Sequence, residues 1–188
     1  MFITGRRVAL HSPSESDYLW LHESLAHGLI GDTWRFHDAL PAPARFREVL
    51  QSDATAEMVI CAVHPTSQPI GWAQLYNYSP RDAHAGISVA LAQPWVSRGW
   101  PLEGAILFAD YAFTKWPLRK LYFESTSAVL SGYSSGVGRL LVEEARLIEH
   151  EFVDGEMVDV HVLALYRDTW LERRPIIERL RQPHTADV

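Results

Sequence analysis

The chain has 188 residues, 47% of them hydrophobic and 21% charged, enough to bury the core of one domain and too apolar for disorder. A net charge of −6 argues against a dedicated nucleic-acid binder, whose phosphate contacts need a basic surface, and the single cysteine, Cys61, rules out an internal disulfide or a cysteine-built zinc site. Met1 to Leu10 holds two arginines and no long apolar run, and no window approaches the ~20 apolar residues of a membrane span, so a soluble cytoplasmic domain is expected.

Arg7 to His11 reads as a first strand, and Ser12-Pro13-Ser14-Glu15 as an N-cap, a first-turn proline and a capping-box glutamate opening a helix to about Leu25. His27 to Pro43, with Gly28, Gly31, Pro41 and Pro43, reads as a loop around Trp34. A second helix over about Ala44 to Gln51 carries Phe46, Val49 and Leu50. Three strands follow at Glu57–Val63, Pro69–Tyr78 and His84–Leu91, separated by the turns at His64–Gln68 and Pro80-Arg81-Asp82. Leu102, Ala105, Ile106, Ala109, Ala112, Phe113 and Trp116 recur at three- and four-residue spacing, the pattern of one buried helix face, and Pro117 stops that helix. Leu118–Glu124 is a further strand, and Ser131–Gly138 is small and polar. Val142–Phe152 and Met157–Arg167 are extended runs joined by the hairpin turn Val153-Asp154-Gly155-Glu156. Residues 1–170 read as one domain, and 171–188 as a C-terminal extension with a short basic helix around Pro175 to Arg181. This order specifies a mixed α/β sheet flanked by helices.

The chain has no Gly-x-Ser-x-Gly elbow, no Walker-type phosphate loop, no His-Glu-x-x-His and no dinucleotide fingerprint. Its most informative segment is Gln93-Pro94-Trp95-Val96-Ser97-Arg98-Gly99-Trp100-Pro101-Leu102-Glu103-Gly104-Ala105, a strand-to-helix loop. Such a loop presents backbone N–H groups and a helix dipole to a pyrophosphate; by spacing alone it reads first as an ordinary strand-to-helix turn.

The whole order of elements, over roughly residues 5 to 170, resembles the GNAT superfamily of N-acyltransferases, in detail the branch of ribosomal-protein alanine acetyltransferases. The matching stretches are Gly5-Arg6-Arg7-Val8-Ala9-Leu10 with Asp17-Tyr18-Leu19, Trp34, Phe46, Pro69-Ile70-Gly71-Trp72-Ala73, and Arg98 to Ala105 as pyrophosphate loop. They continue with Ala112-Phe113, Leu118-Arg119-Lys120-Leu121, Glu144-Ala145-Arg146-Leu147, and Asp154-Gly155, Asp159, Leu165, Arg167 and Trp170 in the closing hairpin.

The resemblance implies a splayed sheet of six to seven strands whose V-shaped opening holds the pantetheine of acetyl-CoA or another acyl-CoA, with the acceptor amine entering from the other side. It implies that backbone at Val89 and Leu91 binds the pantetheine, and that N–H groups from Arg98, Gly99, Trp100, Pro101 and Leu102 hold the pyrophosphate. It gives Ser131 or Tyr133 the role of donor to the departing sulfur, unless the two merely cap a short helix. Trp34 and His37 would wall the acceptor pocket, although Trp34 equally reads as a core anchor.

This sequence departs from the family pattern at three places. Pro101 replaces a glycine and has no N–H, with Ser97 and Val96 replacing the residues before it; Ser131 stands where an asparagine is usual; and Gly86 stands where many relatives carry a glutamate that acts as general base. His84 shares a strand face with Gly86 and is the remaining candidate base, or else a solvated histidine. Glu103 reads as a partner of the helix dipole, and Asp159 as a structural partner of Arg146.

The partner implied is a small-molecule or peptide amine, with a homodimer as an option, no membrane, no metal, and nucleic acid only as a tRNA donor. The alternatives are a donor other than CoA (acyl carrier protein or aminoacyl-tRNA) and a binding member without catalysis.

Overall fold

The computed structural model describes residues 2–30, 34, 36, 39–63, 67–93, 95, 100–127, 140–175 and 178. Eight strands form one sheet: β1 (Phe2–Thr4), β2 (Val8–His11), β3 (Ala54–Ala62), β4 (Pro69–Ser79), β5 (His84–Leu91), β6 (Lys120–Thr126), β7 (Val142–Val153) and β8 (Glu156–Tyr166). Their spatial order is β1-β2-β3-β4-β5-β6-β8-β7. The helices are α1 (Glu15–Ala26), α2 (Pro43–Gln51), α3 (Trp100–Lys115) and α4 (Arg167–Glu172). Among the described residues no helix is long and apolar enough to cross a membrane.

The sheet thus has more strands than the six to seven expected. β1 is the addition: three residues pairing β2 from Phe2↔His11 to Thr4↔Ala9 are too few to show a period in sequence. The N-cap of α1 is Ser14 rather than Ser12, because Asp17, not Glu15, closes the box, its carboxylate accepting from Ser14 N–H at 2.7 Å and Ser14 Oγ at 2.6 Å. Of the basic helix expected at Pro175 to Arg181, only Pro175 and Glu178 lie among the described residues. Helical structure begins before it, in α4, where Trp170 is buried beside Phe113 at 6.0 Å between ring centroids.

Alternation along the central strands gives the sheet two apolar faces. One packs Val8, Leu10, Met58, Ile60, Leu75, Ile87 and Leu121 against Leu107, Phe108, Ala112 and Phe113 of α3. The other packs Val59, Cys61, Trp72 and Ala90 against Tyr18 and Leu21 of α1 and Phe46 and Leu50 of α2.

The first turn of α3 is tied to the far side of the sheet. Glu103 is 2% exposed and accepts from Arg7 N–H at 2.8 Å, Arg7 Nε at 3.0 Å and Val8 N–H at 3.4 Å. A carboxylate in the first helical turn suits the dipole, as the sequence suggested, but its partners are the β1–β2 turn.

At the other end, β7 is the sheet edge, and its pairing with β8 slips twice, between Glu143/Ala145 and between Leu147/Glu151. Asp159 holds the second slip by accepting from Arg146 Nε at 2.7 Å and from the N–H of Glu149, whose φ is 49°. The expected Arg146–Asp159 pair is therefore present.

Candidate active site

Among the described strands β5 and β6 form the one parallel pair, and their ladder is short. It runs only from His84↔Lys120 to Gly86↔Tyr122, while β4 stays paired with β5 as far as Gly71↔Leu91. Beyond Gly86 and Tyr122 the two strands part, which opens the sheet on one side of β5.

The polarity of β5 backbone decides what faces that opening. Ala92 N–H donates to Ile70 of β4 at 2.9 Å, and Ala83 C=O accepts from Lys120 N–H of β6 at 3.3 Å. Alternation then aims the N–H and C=O groups of Ile87, Val89 and Leu91 toward β6, into the opening. Val89 and Leu91 were the two positions expected to face a donor arm. Their side chains pack on the α3 side.

At the wide end of the opening, β5 leads to α3. The rings of Trp95 and Trp100 lie 4.6 Å apart and bring the two ends of the intervening loop together. Arg98 and Gly99 fall outside the described residues, and for Pro101 only the helical backbone is described. Leu102 lies in the first turn of α3, 51% exposed. α3 begins directly after this loop, with Glu103 turned toward Arg7 and Val8.

On the α1–α2 side, His84, Gly86 and Ser88 share one face of β5. His84 lies at the closed end, its ring edge-on to Tyr122 at 5.5 Å. Tyr76, paired with Gly86, lays its ring over it: a Cβ on Gly86 would stand 2.5 Å from Tyr76 Cζ. An aromatic ring therefore fills the space a longer side chain at position 86 would take. Ser88 accepts from Trp34 Nε1 at 2.6 Å. Trp34 also meets Phe36 edge-on at 6.3 Å, so it both packs on the apolar core and reaches the strand. His37, Ser131 and Tyr133 lie outside the described residues.

Three groups beside the opening were not singled out from sequence. Tyr76 needed the β4–β5 register to be found, whereas Ser88 could have been reached from Gly86 by parity alone. The third is a knot around Glu144, which accepts from Lys120 Nζ at 2.9 and 2.6 Å, from Tyr122 OH at 2.9 Å and from Tyr166 OH. Those hydrogen bonds, led by Lys120, hold the Glu144 carboxyl down at about 2. Burial pulls Lys120 the other way, but its bonds to Glu144 and Tyr122 win and keep the ammonium above its ordinary value.

The depressed carboxyl has a stability consequence. Its contribution is complete above its ordinary value of 4.5 and is lost as pH falls toward about 2. With the Glu144 side chain 23% exposed, screening leaves about 1–2 kcal/mol. Glu144→Gln is expected to remove that amount at neutral pH and to flatten the acid limb of an unfolding-free-energy profile; a profile superimposable on wild type would show the knot to be neutral.

A cavity of about 300 Å³ lies at the start of β3, lined by Tyr18, Arg47, Gln51 and Glu57 among others. Tyr18 OH donates to Glu57 at 2.7 Å, and burial, then that bond, holds the phenol well above its ordinary value. Its Ala54 pairs with Tyr76, which sets it two strands away from β5.

No family model and no curated protein matches the chain. Solved structures do. Spermidine N-acetyltransferase from Vibrio cholerae in complex with CoA and spermine superposes with a TM-score of 0.72 at 18% identity, over 88% of this chain and 98% of that one. The dodecameric form of that enzyme in an intermediate state gives 0.70 at 20% identity, over 89% and 98%. A GNAT-family acetyltransferase from Bacillus anthracis gives 0.69 at 14% identity, over 89% and 99%. The chain has the fold of the GNAT N-acetyltransferases, over nearly the full length of each.

Proposed function

We propose that this chain is an N-acyltransferase that moves an acetyl or other acyl group from acyl-CoA to a primary amine. The observation that carries the reading is the parting of β5 from β6 after Gly86 and Tyr122, with the backbone of Val89 and Leu91 aimed into the gap and the α3 N-terminus at its wide end. A pantetheine arm carries amide groups that pair with strand backbone, and a pyrophosphate suits a helix N-terminus. Arg98, Gly99, Trp100 and Leu102 supply N–H groups there; Pro101 supplies none, so the grip has one donor fewer than a glycine would give.

In the reaction, a neutral amine attacks the thioester carbonyl carbon, the C–S bond breaks, and the thiolate takes a proton. Ser131 or Tyr133 is our choice for that proton. The amine's proton passes through water to His84, whose ring lies against Tyr122 at the closed end of the gap. Trp34, on the α1–α2 side of β5, walls the amine, and His37 is our second choice for that wall. The acceptor class is a polyamine-like small molecule or a peptide N-terminus: the first is what the Vibrio cholerae neighbour is named for, the second what the sequence resembles. Self-association belongs to the same reading, as that neighbour is described as dodecameric.

The test is thermal unfolding with free CoA and acetyl-CoA, followed by acetylation of spermidine and of a peptide N-terminus. Ligand at a hundredfold over Kd stabilises by about 2.7 kcal/mol, which raises Tm by roughly 5–10 °C at this size. Gly99→Asp, which puts a carboxylate at the phosphate position, is expected to abolish the shift. His84→Gln is expected to move the acidic limb of kcat/KM and leave the shift intact. No shift in wild type at millimolar CoA would overturn the reading in favour of another donor or a non-catalytic member.

A further inference from the structure

We propose that Ser127, His161 and Glu143 form an acyl-accepting triad, in which Ser127 takes an acyl group from short-chain activated esters and thioesters. His161 Nε2 lies 2.9 Å from Ser127 Oγ, and His161 Nδ1 lies 2.9 Å from Glu143 Oε1. With Nδ1–H donating to the carboxylate, Nε2 presents its lone pair to the hydroxyl. That is the order of nucleophile, base and orienting group.

The three residues come from β7, β8 and the position just after β6, brought together by strand pairing. His161 is opposite Ser125 in the β6–β8 register and opposite Arg146 in the β7–β8 register. Consecutive carboxylates on β7 serve opposite faces of the sheet: Glu144 meets Lys120 on the α1–α2 side, and Glu143 meets His161 on the α3 side.

Exposure is graded in the sense a nucleophile needs. The His161 side chain is 11% exposed, Glu143 is 40% exposed, and Ser127 lies at the surface. A histidine that merely needed satisfying would be served as well by a buried partner. Ser127 directly follows β6 beyond Tyr122, so it stands on the β6 wall at the wide end of the gap.

A second histidine–nucleophile contact shows what is missing elsewhere. Cys61 Sγ lies 3.3 Å from His11 Nε2, but the cysteine is buried, and burial pushes its thiol up to about 11. It has neither access nor a thiolate.

The chemistry balances without an amine. Ser127 Oγ attacks the acyl carbon while its proton passes to His161 Nε2, and Glu143 steadies the resulting imidazolium. The bond to the leaving thiol or alcohol breaks, and that group takes the proton from His161. Water, with His161 again as base, then cleaves the Ser127 ester, releasing the carboxylic acid and restoring the hydroxyl.

The full-length protein is mixed with p-nitrophenyl acetate, and p-nitrophenolate release is followed alongside intact mass and peptide mapping. The expected result is a burst, with one acetyl group per chain mapped to Ser127. Ser127→Ala is expected to lose both the burst and the adduct, and Ser127→Cys to keep acylation on the thiol. His161→Gln is expected to slow acylation on the order of 100-fold or more, and Glu143→Gln by less. No acetyl group at Ser127, acetylation confined to other residues, or an acylation rate indifferent to His161 would overturn the proposal. Because this ester brings its own leaving group, the outcome is independent of the CoA shift, and the two readings fail separately.

Discussion

Gly71→Ala is expected to lower stability by about 3 kcal/mol and Tm by roughly 6–12 °C, the larger part of it through backbone displacement. A Cβ at Gly71 would stand 2.5 Å from the Ala90 carbonyl oxygen and 2.8 Å from Leu91 Cγ. The first of these neighbours is main chain and cannot rotate away, so β5 itself must shift. The displaced stretch is the one whose backbone faces the gap, and so the CoA-induced rise in Tm should shrink together with the stability. At Gly86 the obstacle is only the far end of the Tyr76 ring, which can swing, so Gly86→Ala should be the milder change. Urea unfolding of the two variants checks the order; Gly71→Ala with a wild-type midpoint would contradict the tight approach.

Glu103→Ala is the second large effect, about 3 kcal/mol of destabilisation, near the lower end for breaking a buried ion pair because Arg7 is 45% exposed. The loss removes the acceptor of two backbone N–H groups of the β1–β2 turn and the charge that favours the α3 dipole. Glu103→Gln keeps an oxygen for the same N–H groups and should cost about 1 kcal/mol. Chemical denaturation of both separates anchoring from charge: equal losses would mean that the carboxylate charge carries the whole effect.

Much of the architecture was legible because it is periodic. The bounds of β5, His84–Leu91, and most of the apolar face of α3 follow from alternation and from three- and four-residue spacing; Leu102, expected on that buried face, lies instead half exposed in the first turn. What failed was short or local: β1 has three residues, and the start of α1 turned on which of Glu15 and Asp17 closed the box. The site was legible in a different measure. Parity along β5 put His84, Gly86 and Ser88 on one face and Val89 and Leu91 on the other, which one strand's sequence is enough to show. It could not show that Tyr76 covers Gly86, since that needs the β4–β5 register. Nor could it pair Ser127 with His161, 34 residues apart, which needs the β6–β8 register, or say which faces Glu143 and Glu144 meet, which depends on where the β7–β8 ladder slips.

Those two slips also bear on solubility. An edge strand of twelve residues with Ile148 and Phe152 each about two-thirds exposed is, by composition, a template for stacking chains strand on strand. β7 is a poor template as built. Its line breaks at Glu143/Ala145 and again at Leu147/Glu151, Glu149 turns out of extended geometry, and glutamates flank the apolar side chains. An incoming strand would meet a bent row of N–H and C=O groups and like charges at close spacing, so growth of the sheet across this edge toward amyloid-like aggregates is penalised. Apolar contact between copies is left to the faces of the β7–β8 hairpin, where contact between side chains requires no matching of register.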